Sequence, residues 1–594
     1  MSEYAPVPFA LAVGITGHRR AGLGDAAGLR DRLTRLIADI EGIAGDLHAQ
    51  EAALFAPPPP ILTLVSPLAS GADQMAAAVA LERGWRLQAV LPFDRASYAE
   101  TMDQDEAAEL DRLVAAAGCV LELPGEPERP LDGFVMAGRA TIAHSDLLIA
   151  IWDGELARGR GGTAETVDAA LLRGTPVIHL PTDPDQPVTL LWSAFDPVVV
   201  TSPGDRQCGR PADAATLRAV LSAVLLPPAD PPERQYFDRF RNERLRLWRW
   251  RVEYPLLMTL AGTRRISRRD LTARPQLQAA ADEWDSYRLS CADCHGVGVP
   301  LDLLQRAYVW SDGLASHFAQ TYRSSLVFNF LLAAFGALVG LSGLVLPTNP
   351  LELALIEAAV VLAVIVNTQA GSRRGWHQRW LDYRQLAERL RPMRSLKLLG
   401  IAAPDPPGNA AEPVARRWID WYAAAVWRTI GCPAGRLDLD EVQPLAAAIA
   451  AHELQPQVDY NRHTSGQVKA LDERLEWAAL AIFAATLGVT LFSVGCLLFD
   501  PPLLQRIGAW STVLSAGLPA LGTAIFGIRV QGDFGSLASR ARNTADQLER
   551  IVTDLKLATT LPRTADLTEQ AARVMLADLG EWRLVNELHE LSLG

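Results

Sequence analysis

Three turns rich in glycine and hydroxyl side chains could bind an anion. They are residues 14–19 (GITGHR), residues 66–73 (SPLASGAD) and residues 159–165 (GRGGTAE). Glycines let backbone N–H groups approach an anion closely, while hydroxyl groups and arginine add further donors and positive charge. The predicted ligand-binding residues are Gly14, Thr16, Gly17, His18, Arg19, Ser66, Ser70, Gly71, Asp73, Asp153, Gly161, Gly162, Thr163 and Glu165.

Short apolar runs precede these turns. The runs lack polar alternation, as expected of strands buried on both faces of a parallel sheet, and cover residues 11–15, 61–65, 87–91, 147–152 and 176–180. Helical stretches separate them, at residues 26–48, 73–83, 134–144 and 164–173. This alternation predicts a Rossmann-like, doubly wound α/β fold in which all three turns meet at the carboxyl edge of the sheet. The alternative is three ordinary tight turns with helix-capping residues.

Composition points to two different environments within the 594 residues. Hydrophobic residues make up 49% of the chain and charged residues 21%, which indicates apolar segments separated by ordinary soluble ones. The net charge of −12 gives no electrostatic basis for binding duplex nucleic acid. No basic stretch followed by an apolar core begins the sequence, so we expect no cleaved signal peptide and a cytoplasmic N-terminal domain.

Four apolar segments are long enough to cross a bilayer. They cover residues 326–346, 353–370, 477–499 and 508–528. Tight proline-containing connectors predict two transmembrane hairpins. Arginine and lysine residues cluster on the opposite side from these connectors, which predicts an inner-membrane, multi-pass protein with both termini in the cytoplasm.

The predicted regions follow from these segments and from the proline-rich residues 227–232. We expect an α/β domain at 9–227, a helical juxtamembrane region at 228–323, a first hairpin with a cytoplasmic helix at 324–400, a connector at 401–468, and a second hairpin with C-terminal helices at 469–594. Residues 239–251 are basic and contain Trp248 and Trp250. They suit either the headgroup layer or a solvated helix face.

Candidate functional residues also occur within the apolar segments. Gly336 and Gly340 form a G-x-x-x-G face that permits close helix contact, and Ala484 and Gly488 form a similar face. Glu357 is costly in lipid unless it faces a bundle interior, water or the interface. Pro519 predicts a kink.

A weak repeat and a cysteine pair complete the pattern. Gly371-Ser372 and Gly535-Ser536 each follow an apolar pair and precede an amphipathic helix, which suggests a duplicated unit. Residues 291–295 read C-A-D-C-H, which formally matches a c-type haem attachment site. The expected cytoplasmic location argues against haem, so Cys291 and Cys294 are interpreted as structural thiols, with transient redox chemistry or metal binding as the alternative. No defined metal site is predicted.

The N-terminal turns resemble those of a known superfamily. Thr-Gly-His-Arg at 16–19, Ser-Gly-Ala-Asp at 70–73, the phrase SDLLIAIWDG at 145–154 and Gly-Gly-Thr at 161–163 are similar to the SLOG superfamily, which includes the DNA-processing protein Smf/DprA and the LOG phosphoribohydrolases. The resemblance covers about residues 9–180 and implies binding of a nucleotide or a nucleotide-derived second messenger.

The same resemblance bears on catalysis. LOG enzymes carry a glutamate at the position that Thr166 occupies here when Gly162-Thr163 is aligned, and Glu165 falls one residue early. A shift of one residue turns a carboxylate by about 100° around a helix. Glu165 is therefore the one catalytic candidate, and the shift argues against an enzyme.

The apolar hairpins resemble a second family. With Trp376, Trp380, Tyr383-Arg384 and Glu388 after the first hairpin, they look like SLATT domains, two-span modules coupled to nucleotide sensors in bacterial conflict and anti-phage systems. The combined resemblance implies a homo-oligomeric sensor that gates a pore or disrupts the membrane. The alternatives are a membrane-tethered LOG-like hydrolase and a structural or transporter-like scaffold.

Overall fold

A ten-stranded sheet is built mainly from the first half of the chain, and its last strand comes from the second half. The computed structural model describes residues 4–155, 160–195, 209–292, 296–405 and 417–590. The strands are β1 (Ala10–Gly17), β2 (Ile61–Ser66), β3 (Arg86–Leu91), β4 (Cys119–Glu122), β5 (Leu147–Trp152), β6 (Val177–Pro181), β7 (Thr189–Leu191), β8 (Gly209–Pro211), β9 (Val297–Gly298) and β10 (Ala434–Arg436). All five predicted strands are confirmed, as β1, β2, β3, β5 and β6.

The strand order is β8-β7-β6-β5-β1-β2-β3-β4-β10-β9. Strands β1 to β6 and β10 pair in parallel, whereas β7, β8 and β9 pair antiparallel. The prediction of a parallel sheet therefore holds for the centre and is wrong at both edges. The chain leaves β4 at one side and returns through β5 on the other side of β1, so the strand order reverses beside β1, as in Rossmann-like sheets.

Eight helices connect and follow these strands. They are α1 (Ala26–Glu51), α2 (Ala72–Glu82), α3 (Arg95–Ala99), α4 (Gln104–Ala116), α5 (Pro130–Ala143), α6 (Thr163–Leu172), α7 (Ala214–Leu225) and α8 (Pro231–Arg241). Local sequence sets their starts: Asp25 accepts a hydrogen bond from the Gly28 amide at 3.0 Å, and Asp103 with Glu106 forms a capping box. The four predicted helices are confirmed as α1, α2, α5 and α6.

The second half is helical. Its helices are α9 (Glu253–Leu260), α10 (Arg268–Leu271), α11 (Arg274–Tyr287), α12 (Asp302–Ser342), α13 (Pro350–Arg374), α14 (Trp376–Leu390), α15 (Met393–Leu399), α16 (Trp418–Ile430), α17 (Leu439–Ile449), α18 (Gln455–Phe499), α19 (Pro501–Gln531), α20 (Phe534–Lys556) and α21 (Leu561–Glu590). Residues 243–252 are not helical, so the helix-face interpretation of the segment with Trp248 and Trp250 is wrong.

Four of these helices, α12, α13, α18 and α19, contain stretches that are long and apolar enough to span a membrane. Helices α12 and α13 run antiparallel, because Gly340 faces Glu357 near the connector and Asn329 binds Thr368 at the other end. Helices α18 and α19 are also antiparallel, with Ser493 and Ser511 hydroxyls 2.5 Å apart and Arg529 bound to Asp472. Helix α12 also packs on α19, which joins the two pairs.

Each antiparallel pair is followed by a helix that folds back on the first member of the pair. Helix α14 packs on α12, and α20 packs on α18. In each unit the helical path is interrupted by one residue in the left-handed region: Gly375, with φ 59°, between α13 and α14, and Asp533, with φ 45°, between α19 and α20. Gly371 lies inside α13 and Gly535 inside α20, on opposite sides of these breaks. The repeated unit is present. The two Gly-Ser pairs, which the sequence suggested were equivalent, occupy different positions in the two copies.

One continuous hydrophobic core joins the sheet to the helical half. It includes β1, α1 and α7 on one side of residue 227 and α8, α12, α14 and α16 on the other. Helix α16 lies against β1, and its Arg428 forms a buried ion pair with Asp146 at 2.9 Å. The second Asp146 oxygen accepts a hydrogen bond from the Ala12 amide at 3.0 Å. Asp146 therefore ties the central strand to the helical half.

This ion pair gives a stability prediction. Asp146→Asn leaves the Arg428 guanidinium buried without its counter-charge, and removing one partner of a buried pair costs about 3–5 kcal/mol. We expect a clear drop in the thermal unfolding temperature of the detergent-solubilised protein, measured by differential scanning fluorimetry. Asp438→Asn, in the exposed Arg436–Asp438 pair, is the matched control and should change it little. Equal effects from both substitutions would contradict the role given to Asp146.

Candidate ligand site at the carboxyl edge of the sheet

The first two predicted turns meet beside the point where the strand order reverses. Strand β1 lies between β5 and β2, so the loops that follow these three strands share one edge of the sheet. The His18 amide donates to the Ile151 carbonyl at 2.8 Å, and the Ala72 amide donates to the His18 carbonyl at 3.1 Å. The loop after β1 is thus held between β5 and the start of α2, where open α/β sheets bind ligands.

Two glycines allow this close packing. A Cβ atom on Gly17 would lie 2.4 Å from the Ala72 Cβ and 2.7 Å from the Ile151 carbonyl oxygen. A Cβ on Gly71 would lie 2.5 Å from the Arg20 nitrogen, and Gly71 has φ 101°, which side chains rarely adopt. Contact between the two loops therefore requires a residue without a side chain at both positions.

His18 and Asp153 come together across the reversal point. The Asp153 amide donates to His18 Nε2 at 3.2 Å, and the Asp153 Oδ1 atom lies 3.4 Å from the same nitrogen. Both side chains are about one-third exposed, at 27% and 32%. A ligand at this edge would therefore meet an imidazole and a carboxylate that already contact each other.

Asp73 lies in the first turn of α2 and is buried, with 4% of its surface exposed. Burial raises the pKa of Asp73 to about 8, although a backbone hydrogen bond from Ala69 and the charge of Arg19 oppose the rise. Within the described residues, its Oδ1 atom has no hydrogen-bond partner. At neutral pH the carboxyl is therefore mainly protonated, which makes the turn less repulsive to an anion than its sequence suggests.

The serines of the second turn are already engaged. The buried Ser66 hydroxyl accepts a hydrogen bond from the Leu68 amide at 3.0 Å, and the Ser70 hydroxyl donates to Glu106. Glu106 also caps α4 together with Asp103. Sequence reasoning missed Glu106, because its capping box signals only a helix start and not a contact with a loop 36 residues away.

In the third turn a backbone amide is bound by a carboxylate of the protein itself. Gly161 has φ 76°, and its amide donates to the Glu165 carboxylate at 2.6 Å. Glu165 thus places a negative charge in the first turn of α6, where helix N-termini favour anions. Gly162 precedes α6 as its exposed N-cap and Thr163 begins the helix, while Gly159 lies outside the described residues.

Phe134 connects the first and third turns. The Arg19 guanidinium lies 5.4 Å from the centre of the Phe134 ring, and the Phe134 Cβ would lie 3.2 Å from a Cβ on Gly161. Arg19 is exposed, and exposed Arg160 lies 3.3 Å from Asp132. Two guanidinium groups and an aromatic ring therefore border the edge, and Phe134 was not among the predicted site residues.

Three predicted residues lie within β1, and two of them, Gly14 and Thr16, precede its last residue, Gly17. Gly14 pairs with Val65 and Leu148, and a Cβ there would lie 2.5 Å from the Ser145 hydroxyl. Gly14 therefore serves strand–helix packing. Thr16 pairs with Ala150 near the end of the strand and is half-buried.

The membrane candidates form a separate cluster. A Cβ on Gly336 would lie 3.0 Å from Val360, and one on Gly340 would lie 2.4 Å from the Glu357 carboxylate. The predicted G-x-x-x-G face thus serves the contact between α12 and α13, with exposed Glu357 at its edge. Pro519 lies inside α19, and no atom lies within 4 Å of a Cβ on Gly488.

The predicted cysteine pair does not form a described site. Cys291 is buried in the core, and Cys294 lies outside the described residues. Within those residues no group of three or more histidine, cysteine, aspartate or glutamate side chains could hold a metal ion.

No family model, curated protein or solved structure matches this chain.

The buried Asp73 carboxyl predicts a pH effect. Its pKa near 8 exceeds the value of about 3.9 for an unfolded aspartate, so the folded protein binds an additional proton between these values. Its contribution to stability is therefore lost as pH rises from about 4 through about 8. We expect Asp73→Asn to unfold a few degrees higher than wild type at pH 9 and nearly equally at pH 5, measured by scanning fluorimetry. A constant difference across this range would contradict the assignment, and Asp111→Asn, at an exposed site, is the control.

Proposed function

We propose that this protein is a membrane effector whose α/β half senses a nucleotide-type, phosphate-bearing ligand. The observation that carries the proposal is the continuous core between the candidate site and the long apolar helices. The loop after β1 forms the site, and β1 itself packs on α16. Helix α16 in turn contacts both α12 and α14. A change at the sheet edge therefore has a packed route to the first apolar helix.

The proposed ligand carries phosphate because the edge offers backbone amides, guanidinium groups and an aromatic ring. The Gly161 amide is satisfied by Glu165, and the Ser70 hydroxyl by Glu106. A ligand phosphate that took the place of the Glu165 carboxylate would release the first turn of α6. We therefore interpret Glu165 as an internal stand-in for the ligand. A ligand shifts the protein only if it binds the released arrangement more tightly than the resting one.

The proposed effector is the set of four apolar helices, crossing the inner membrane as two hairpins with both termini in the cytoplasm. In their most apolar stretches only 28%, 11%, 6% and 22% of residues are buried within the protein. Water-soluble proteins rarely expose apolar patches of this kind, so lipid or further copies of the chain must cover them. Trp248 and Trp250 are 68% and 83% exposed, which suits the headgroup layer.

Glu165 gives a test of ligand displacement. Glu165→Gln keeps an oxygen that accepts the Gly161 hydrogen bond but removes the negative charge that competes with a phosphate. We expect the affinity for adenosine monophosphate, used as a probe in equilibrium dialysis, to rise by about three- to tenfold. Glu128→Gln makes the same charge change at an exposed loop position and is the matched control.

The same variant also distinguishes the proposed sensor function from the alternative of a nucleotide hydrolase. An unchanged or weaker affinity in Glu165→Gln would contradict the displacement model. Release of free adenine by wild type that is lost in Glu165→Gln would instead favour a membrane-tethered nucleotide hydrolase, in which Glu165 takes part in cleavage.

Liposome experiments test the effector function. Full-length protein is reconstituted in dye-loaded liposomes and exposed to nucleoside monophosphates and cyclic dinucleotides, and dye release is measured. We expect release with one ligand class and its loss in Gly17→Ala, because the added Cβ would overlap the Ala72 Cβ. Gly45→Ala, in α1 where a Cβ meets no atom within 4 Å, should retain it. Ligand binding without release would contradict an effector function, and mass spectrometry of molecules released from purified protein would identify the native ligand.

A further inference from the structure

A large cavity lies between the two repeated helical units, away from the sheet edge. Its volume is about 500 Å³, within the range of sites that bind small molecules. Helices α12 and α14 of the first unit, α18 and α20 of the second, and the segment from α9 to α11 all contribute to its wall. No single unit therefore forms the cavity alone.

The wall is strongly basic. Six arginines line it, against two acidic residues, Asp270 and Glu388; these arginines are Arg249, Arg264, Arg269, Arg323, Arg384 and Arg540. Asp270 forms an ion pair with Arg264, and Glu388 lies 2.5 Å from Arg384. Both lining carboxylates are thus already engaged.

Three of the arginines form no direct ion pair with a carboxylate among the described residues, although Asp270 and Asp312 lie close enough to Arg249 to act on its charge. Arg249 donates to the side-chain oxygens of Gln276 and Gln320, at 2.7 Å and 3.0 Å, and both partners are neutral. Arg323 lies over the rings of Tyr254 and Trp380, at 5.4 Å and 4.9 Å. Arg269 is exposed. Among the described residues no carboxylate forms an ion pair with any of these three guanidinium groups.

The pKa of a neighbouring histidine, His317, is affected by this positive charge. His317 lies on α12 and is largely buried, and its Nδ1 atom has no hydrogen-bond partner within the described residues. Burial, with a smaller contribution from the positive charges of Arg249 and Arg246, lowers the pKa of His317 to about 4. The region is therefore already unfavourable for one more cation and favourable for an anion.

We propose that this cavity binds a phosphate-bearing anion. Arginine suits phosphate because its planar guanidinium group can donate two parallel hydrogen bonds. Removing partly buried guanidinium groups from water without a counter-charge is costly, and a bound phosphate would offset that cost. The cavity lies where the apolar part of α12 begins, since a small adjoining cavity shares Arg323 and reaches Leu326 and Val327. The phosphate can therefore belong either to a soluble ligand or to a lipid headgroup.

The first arm of the test uses pyrophosphate as the probe. Full-length protein in phosphatidylcholine nanodiscs is titrated with pyrophosphate by isothermal titration calorimetry. We expect saturable binding that Arg323→Gln and Arg269→Gln each weaken about tenfold, as for loss of one charged hydrogen-bond donor. Arg268→Gln is the matched control, because Arg268 is also exposed on α10 but does not line the cavity.

The second arm tests lipid as the source of the phosphate. Nanodiscs containing phosphatidylglycerol are compared with pure phosphatidylcholine, and bound lipid is counted by native mass spectrometry. Retention of phosphatidylglycerol that falls in Arg323→Gln identifies a headgroup site, whereas pyrophosphate binding that is unaffected by phosphatidylglycerol identifies a soluble ligand.

Absence of binding in both arms would overturn the proposal, and so would an effect of Arg268→Gln equal to that of Arg269→Gln. Glu165→Gln should leave both arms unchanged, so failure here is distinguishable from failure of the sheet-edge site.

Discussion

The structure depends on the contact between the central strand β1 (Ala10–Gly17) and helix α16 (Trp418–Ile430), which come from distant parts of the chain. Asp146 binds the Ala12 amide in β1 and the Arg428 guanidinium in α16 at the same time. A buried charge pair of this kind is retained only when both partners are held in place by their surroundings. The sheet and the helical half are consequently parts of one packed body. A ligand at the sheet edge and a bilayer around the apolar helices would act on the same core.

The candidate site is closed by the protein's own carboxylates. Glu106 takes the Ser70 hydroxyl and Glu165 takes the Gly161 amide. These contacts hold the two loops in place, and the proposed anionic ligand would have to compete with them. For the proposed phosphate-bearing ligand, several phosphate oxygens would be an advantage, because they could replace more than one of these contacts.

Sequence patterns predicted the centre of the fold and failed at its edges. Five strands were predicted correctly, because a strand buried on both faces appears in the local sequence as a continuous apolar run. Strand β10, three residues long, pairs with β4 from more than 300 residues away, and so short a segment carries no periodicity. Gly17 and Gly71 were predicted as ligand-binding residues, whereas the structure shows that contact between the two loops requires glycine at both positions. Glu106 and Phe134 were missed, since their roles depend on neighbours that only the folded chain supplies.

Helix α12 continues without a break from the soluble core into the apolar region. Its 41 residues begin beside buried Leu304 and Trp310 and end at the first connector. An α-helix of this length extends about 60 Å, and a tilt of roughly 5° at its base moves the far end by about 5 Å. A displacement at the base of α12 that is too small to disturb the packing of the sheet would therefore grow to several ångströms at the end of its apolar part.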